Sequence, residues 1–243
     1  HLHSSFGSLQ DAVGKPIGYC EKAANIGQGA LGVTEHGSCA SHFAFHQAGE
    51  ATDTKIIYGN EFYFAADRTL RGLTDEEKNG LTATEVRDAN KARLRKAHLL
   101  LLAETDEGLH NIYRLNYHAN NSGFYGKATI DLPLLRQYSE GIIATTTCVI
   151  SPMARMLQNK KIDDMSVWFE DMLGIFGKDR FFIELHPHAL DIQREYNQVL
   201  IEVFRKKYDV KCLVQNDVHY VEQDHHEIHN FLWRLNTDGK FDE

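Results

Sequence analysis

Short apolar runs alternate with longer stretches in which apolar residues recur every three or four positions. An apolar run of four to eight residues reads as a buried strand, and a 3.6-residue period as an amphipathic helix. Strands are expected at 30–34, 55–58, 98–103, 141–146, 181–185 and 211–215. Helices are expected at 41–49, 106–120, 152–158, 162–176, 191–208 and 223–235. In the second of these, Leu109, Ile112, Tyr113, Leu115 and Tyr117 cluster toward one face, and Pro152 suits the first turn of the third.

Strands alternating with helices imply parallel βα units. Six or seven such units in one domain of 243 residues point to a closed or nearly closed barrel, with an open doubly wound sheet as the alternative. In a barrel, chemistry collects at the C-terminal ends of many strands. No G-x-G-x-x-G opens a helix, so a dinucleotide-binding open sheet has little support. Residues 67–97 break the alternation: they are polar, contain Gly72 and Gly80, and end in Arg87, Lys91, Arg93, Arg95 and Lys96. This segment is expected to be an excursion over the barrel mouth, its charges first of all a solvated helix face.

With 42% hydrophobic and 25% charged residues, the composition is that of a folded domain and excludes wholesale disorder. No stretch approaches the ~18 apolar residues of a membrane span, and no basic start followed by an apolar run marks a signal peptide. Cys20, Cys39, Cys148 and Cys212 are widely spaced with no CxxC. A disulfide scaffold or zinc ribbon is therefore not expected, and a reducing, cytoplasmic location is. The net charge of −8 argues against a protein that coats nucleic acid by charge alone. Initiator methionine is not normally trimmed before histidine, so residues upstream of His1 are expected.

The 14 histidines change the picture. Four clusters follow predicted strand ends or turns: His1-Leu2-His3, Thr34-Glu35-His36-Gly37, Asn60-Glu61, and Asn216-Asp217-Val218-His219. In extended chain, alternate side chains share a face, so His1 and His3, like Asp217 and His219, can face one ion. Each pair alone is weak. Together they place imidazoles and carboxylates at one mouth, which suits zinc, manganese or iron. They are too many for one tetrahedral ion, so a multinuclear site is expected, with ions ~3.5–4 Å apart. Such a site suits hydrolysis of a phosphate ester.

His-Leu-His-Ser at the start, Thr-Glu-His-Gly at 34–37 and Asn-Asp-Val-His-Tyr at 216–220 resemble the motifs of the polymerase and histidinol phosphatase (PHP) superfamily. The match is more specific elsewhere. Gly59-Asn60-Glu61-Phe62-Tyr63, Ala97-His98-Leu99-Leu100-Leu101-Leu102-Ala103, Glu107-Gly108-Leu109, Gly123-Phe124-Tyr125 and Phe182-Ile183-Glu184-Leu185 are similar to the PHP domain of bacterial DNA polymerase III alpha subunits. The resemblance covers essentially the whole chain. It implies a distorted TIM-like (βα)7 barrel of the PHP type, as a single domain.

The resemblance also implies nine side chains holding three divalent ions, of zinc, manganese or iron. His1 and His3 match the opening motif, and Asp11 the aspartate after it, at a spacing one residue longer than usual. His36 matches the second motif, where Glu35 stands in for the more usual aspartate. Glu61 matches the bridging carboxylate, His98 and Cys148 the histidine and cysteine of two later motifs, and Asp217 and His219 the closing motif. The implied grouping is His1, His3, Glu61 and Asp217 for one ion; Glu61, His98 and Cys148 for a second; Asp11, His36 and His219 for a third. Glu61, Asp217 and His219 would be catalytic as well as ligating. His98 is the awkward member, because it starts its strand. It reaches the site only if that strand returns antiparallel after 67–97, or if the sheet is distorted there.

His186 and His188 follow a strand and are candidates to support a ligand or touch substrate. Arg95, Lys96 and Lys127 are candidates to hold a phosphodiester. His42, His46, His110, His118, His225, His226 and His229 lie on predicted helices and are read as surface imidazoles. The leading expectation is a 3′→5′ exonuclease acting on DNA 3′ ends in replication, partnered by a polymerase core and other replisome subunits, with no membrane. Asn230-Phe231-Leu232-Trp233-Arg234 with Asp238-Gly239-Lys240 resembles the junction to such a core. The alternatives are a standalone phosphatase of the histidinol-phosphatase type and a structural metal-binding module.

Overall fold

The computed structural model describes residues 1–236. It is a mixed α/β fold around one eight-stranded sheet. The strands are β1 (Ala30–Val33), β2 (Lys55–Phe64), β3 (Ala97–Ala103), β4 (Phe124–Tyr125), β5 (Lys127–Ile130), β6 (Ile142–Thr145), β7 (Phe181–Leu185) and β8 (Cys212–Val214). The main path runs β4-β5-β2-β3-β6-β7-β8, with β1 beside the first half of β2. The helices are α1 (Pro16–Asn25), α2 (His42–Thr52), α3 (Asp75–Lys78), α4 (Ala83–Arg93), α5 (Asp106–Asn121), α6 (Leu132–Gln137), α7 (Pro152–Gln158), α8 (Ile162–Phe176), α9 (Asp191–Val199), α10 (Lys206–Tyr208) and α11 (His226–Asn236). A π-helical turn, Leu200–Arg205, joins α9 to α10, so the single helix expected at 191–208 is one continuous rod.

The all-parallel arrangement expected from the alternation does not form. β3 is antiparallel to both of its neighbours, β2 and β6. The cause is the 67–97 excursion. Its two helices, α3 and α4, both start with a Thr–Glu capping box, and neither buries a residue. They carry the chain across the end of β2 and return it running the other way. Isolated bridges continue the curl of the sheet beyond its ladders: Leu2 pairs with Val218, Val13 with Tyr220, and His36 with Glu61. The result is a curled, half-barrel sheet.

Period-two alternation sorts the two faces of this sheet. Phe62, Phe64, Leu99 and Leu101 point into the main core with Ile112 and Leu115 of α5, Phe169 of α8 and Phe181. Glu61, Tyr63 and His98 are left for the opposite, concave face. A second, smaller core gathers Leu2, Tyr19, Cys20, Val33 and Phe45 under α1 and α2, with Val218 packed against it. Among the described residues, no helix is long and apolar enough to cross a membrane. The Asp238-Gly239-Lys240 part of the junction motif lies outside the described residues.

Candidate metal centre

Leu2 and Val218 explain how two of the motifs converge. They are bridge partners, and both turn into the smaller core. His1 and His3 flank Leu2, and Asp217 and His219 flank Val218, so all four face the other way, together. His3 Nε2 lies 3.2 Å from Asp217 Oδ1, and His1 Nε2 lies 3.5 Å from the same oxygen. The rings of His3 and His219 are 4.5 Å apart.

Glu61 is delivered by a close approach of backbones. A Cβ on Gly59 would sit 2.5 Å from Leu101 O, so only glycine lets β2 run this near to β3. Glu61 is 1% exposed on the concave face. The antiparallel register pairs Tyr63 with His98, which puts His98 on the face shared by Glu61 and Tyr63. The return strand thus solves the problem of His98: its Nδ1 lies 3.0 Å from Glu61 Oε1. Glu61 Oε1 is also 3.1 Å from His1 Nε2, and Glu61 Oε2 is 2.7 Å from His36 Nδ1. His36 Nε2 reaches Asp11 Oδ2 at 3.1 Å.

Cys148 follows a strained residue. Thr147 has φ +58°, a left-handed conformation that a β-branched side chain rarely adopts. Its hydroxyl takes the Leu100 N–H at 2.9 Å, which locks the turn against β3. The turn holds Cys148 Sγ 3.8 Å from Glu61 Oε1 and 3.9 Å from His98 Nδ1. All nine side chains implied by the resemblance therefore meet in one cleft, whose mouth is a cavity of about 430 Å³.

Glu35 has a tethering position instead of one in the cleft. Its Oε2 accepts from Ser4 N at 2.9 Å and Ser8 Oγ at 2.7 Å, and its Oε1 from Ser4 Oγ at 2.5 Å. It pins the loop between His3 and Asp11. A Cβ on Gly7 would meet Glu35 Cγ at 2.4 Å, so the loop wraps the carboxylate closely.

The electrostatics of the cleft are those of acids held ionised by imidazoles. Burial alone would push the Glu61 carboxyl up. The charges on His98 and His1, with the close approach of the His1 and His36 ring nitrogens, overcome this and hold it well below the carboxylate range. Asp217 is lowered in the same way against burial, chiefly by His1 and His3. His1 and His36 are raised well above the usual imidazole value: burial opposes, and Asp217 and Glu61 for the first, Asp11 and Glu61 for the second, prevail. His3 goes the other way, down to about 3, through burial and the neighbouring His36. Burial, Glu61 and Asp217 push the Cys148 thiol up.

One feature decides whether a cation suits these residues. His1 Nε2, His3 Nε2, Asp11 Oδ1, His36 Nδ1, Glu61 Oε2 and Asp217 Oδ1 are buried without a hydrogen-bond partner. Several are in close contact, yet none is aligned for a hydrogen bond. Leaving such atoms unsatisfied is costly. Nitrogen and carboxylate donors that crowd together with misaligned lone pairs fit a shared divalent ion.

Glu184 escaped the sequence reading as a site residue. It is fully buried on β7, and its Oε1 lies 3.0 Å from His1 Nδ1 and 2.5 Å from His186 Nε2. Thr145 Oγ1 donates to its other oxygen. Hydrogen bonds from His1 and His186 outweigh burial and take its carboxyl down to about 2. A lone acid in the apolar run Phe181–Leu185 was the available signal. His186 lies behind His1, with rings 5.6 Å apart, so it supports the cleft and does not line it. His188 is exposed beyond it, 5.4 Å ring to ring. His229, read from sequence as a surface imidazole, lines the cavity with its ring 5.4 Å from His219. It is not on the surface because α11 folds back over the mouth, with Trp233 also lining it. His42 is structural: its Nε2 donates to Gly59 O at 2.9 Å.

The PHP domain family profile matches residues 1–188. The chain is 32% identical over 235 residues to DNA polymerase III subunit alpha of Aquifex aeolicus, covering 97% of this chain and 19% of that protein. It is 31% identical over 245 residues to DNA polymerase III subunit alpha of Thermus aquaticus, covering 100% of this chain and 19% of that protein. The chain thus spans about a fifth of the length of these curated relatives. Among solved structures, an amidohydrolase from Chromobacterium violaceum is similar with a TM-score of 0.50 and 12% identity, over 92% of this chain and 88% of that one. At that identity the likeness concerns the fold alone.

Proposed function

The chain belongs to the PHP domain family, and from that premise we propose that it is a metal-dependent phosphoesterase. In full, the reading is a 3′→5′ exonuclease on DNA ends, working beside the polymerase core of a DNA polymerase III alpha subunit and other replisome subunits. It takes the curled sheet as the PHP form of a (βα)7 barrel. The observation that carries it is the group of buried, partnerless donor atoms facing one another across the cleft.

We assign three divalent ions to these residues. His1, His3, Glu61 and Asp217 would hold one, Glu61, His98 and Cys148 a second, and Asp11, His36 and His219 a third. Bound there, the ions supply Lewis acidity toward a phosphoryl oxygen and toward water. The rest falls to the chain. Glu184 accepts a hydrogen bond from His1 Nδ1–H, so that with an ion bound the Nε2 lone pair would face it beside Glu61 and Asp217. Glu35 fixes the loop that carries Asp11. Lys127, tied to Tyr63 Oη at 3.0 Å, sets a positive charge at the mouth where a phosphodiester enters. The relatives bearing the name DNA polymerase III subunit alpha motivate DNA as the substrate.

The test is product analysis. Manganese-loaded protein is expected to shorten a 5′-labelled single-stranded oligonucleotide from its 3′ end. Phosphate release from a sugar or amino-alcohol phosphate, with the oligonucleotide untouched, would replace this reading with a small-molecule phosphatase. Metal uptake without turnover of either substrate would replace it with a structural module.

A further inference from the structure

A second cavity, of about 580 Å³, opens beside the metal centre and shares Tyr63 and Lys127 with its mouth. The chain carries 34 acidic and 26 basic residues. Yet this cavity is lined by Arg87, Lys91, Arg95, Lys96, Lys127 and Arg155, and by no acid. The ion pairs of α4 stop at Arg87 with Asp88 and Arg93 with Glu77. Among the described residues, Lys91, Arg95, Lys96, Lys127 and Arg155 form no ion pair, and Asp67 acts on Lys96 only from beyond ion-pair distance.

This is an expensive arrangement for a solvated helix face. Arg87 and Lys91 stand four apart on α4, where like charges weaken a helix. Arg95 follows beyond its end. Arg155 enters from α7, and burial with the repulsion of Arg95 pushes it down to about 10. Cations that converge from separate elements and outnumber the acids near them, Asp67 and Asp88, make a site for a polyanion. The groove also points at the chemistry. Lys96 lies immediately before β3, two residues from His98, and lines the groove with Tyr63 and Lys127.

We propose that this groove is the track for the backbone of a single-stranded DNA several nucleotides long, whose 3′-terminal diester lies in the metal centre. The proposal rests on the exonuclease reading above and adds that the enzyme selects polymers over small esters. A single phosphate needs one or two cations, and six along a groove fit successive phosphates. Single-strand sites combine such a groove with aromatic faces on which bases stack. Tyr63 stands between the two cavities, and Trp233 lines the metal-centre cavity. A single strand is favoured because Glu61 and its neighbours are buried. A terminal diester reaches them only after leaving a duplex.

The test is fluorescence anisotropy of metal-loaded protein. The probe is a labelled oligothymidylate of about 16 nucleotides with phosphorothioate linkages, which resist cutting. A Lys91→Gln/Arg95→Gln variant removes two exposed, unpaired cations. It is expected to bind about tenfold more weakly, with the slope of log affinity against log salt reduced by about 1.4, at ~0.7 per lost contact. A Lys178→Gln/Lys211→Gln variant makes the same charge change at the start of β7 and β8 and is expected to bind as the parent does. Unchanged binding by the first variant, or equal loss in both, would overturn the track. Hydrolysis of bis(p-nitrophenyl) phosphate by the parent is scored separately. Its absence would count against the phosphodiesterase reading, while the anisotropy still decides the groove.

Discussion

His1 Nδ1 lies 3.0 Å from Glu184 Oε1, with both side chains fully buried. A carboxylate behind a ligating imidazole fixes the tautomer and the ring orientation, and raises the basicity of the other nitrogen. Glu184→Gln keeps the volume and removes the charge. It is expected to weaken metal affinity by about 10–100-fold while the fold persists. Isothermal titration with zinc or manganese reads this, with far-UV circular dichroism as the check on folding. Parent-like affinity would show that Glu184 only fills space behind His1.

Asp217 touches both His1 and His3 and has a partnerless buried oxygen. Asp217→Ala removes a proposed ligand, so its effect should exceed that of a supporting residue. More than about a hundredfold loss of metal-dependent hydrolysis is expected. A kinetic comparison at saturating metal checks it. Retained hydrolysis would remove Asp217 from the proposed centre.

The metal-free protein should respond to pH in separate windows. His1 and His36 have folded pKa values raised above the unfolded ~6.5. Their contribution is complete below that value and is lost as pH rises through the folded pKa. His3 is lowered to about 3, so its neutral form adds stability as pH rises from about 3 to ~6.5. Glu184, lowered to about 2, adds stability above ~4.3 that is lost as pH falls toward 2. In EDTA, the melting temperature is therefore expected to fall above pH ~6.5. With metal bound the trend should reverse there, because cations bind deprotonated ligands. Scanning calorimetry with and without EDTA measures both. Identical profiles would mean that no cation replaces these protons.

Gly59→Ala tests how the cleft is assembled. The added Cβ would lie 2.5 Å from Leu101 O, a backbone atom that cannot swing aside. A loss of about 1–3 kcal/mol is expected from overpacking, together with weaker metal binding as Glu61 and His98 separate. Chemical denaturation and the metal titration read the two effects.

Much of the cleft was legible because the side chains that line it come in period-two pairs. His1 and His3, and Asp217 and His219, announce a shared face without any tertiary knowledge. The direction of β3 was not legible, since an apolar strand reads the same both ways. Only the register of Tyr63 with His98 shows why a residue at the start of a strand reaches Glu61. The all-parallel order was overread for the same reason: alternation of strand and helix says nothing about the turn-back made by 67–97. Glu184 and His229 were missed on different grounds. One acid within a strand has no periodic partner, and the place of a helical histidine depends on where α11 docks. The bases of 67–97 were read as a solvated face because charge runs usually are. The helices there do bury no residue, and it is Arg155, lining the same cavity from another element, that motivates the proposed groove.

The central claim is that nine dispersed side chains hold divalent cations, and metal counting tests it most directly. Protein loaded with manganese or zinc, then freed of excess metal, would be analysed by inductively coupled plasma mass spectrometry beside Asp217→Ala. About three ions per chain are expected in the parent and fewer in the variant. No retained metal in the parent, or the same content in both proteins, would contradict it.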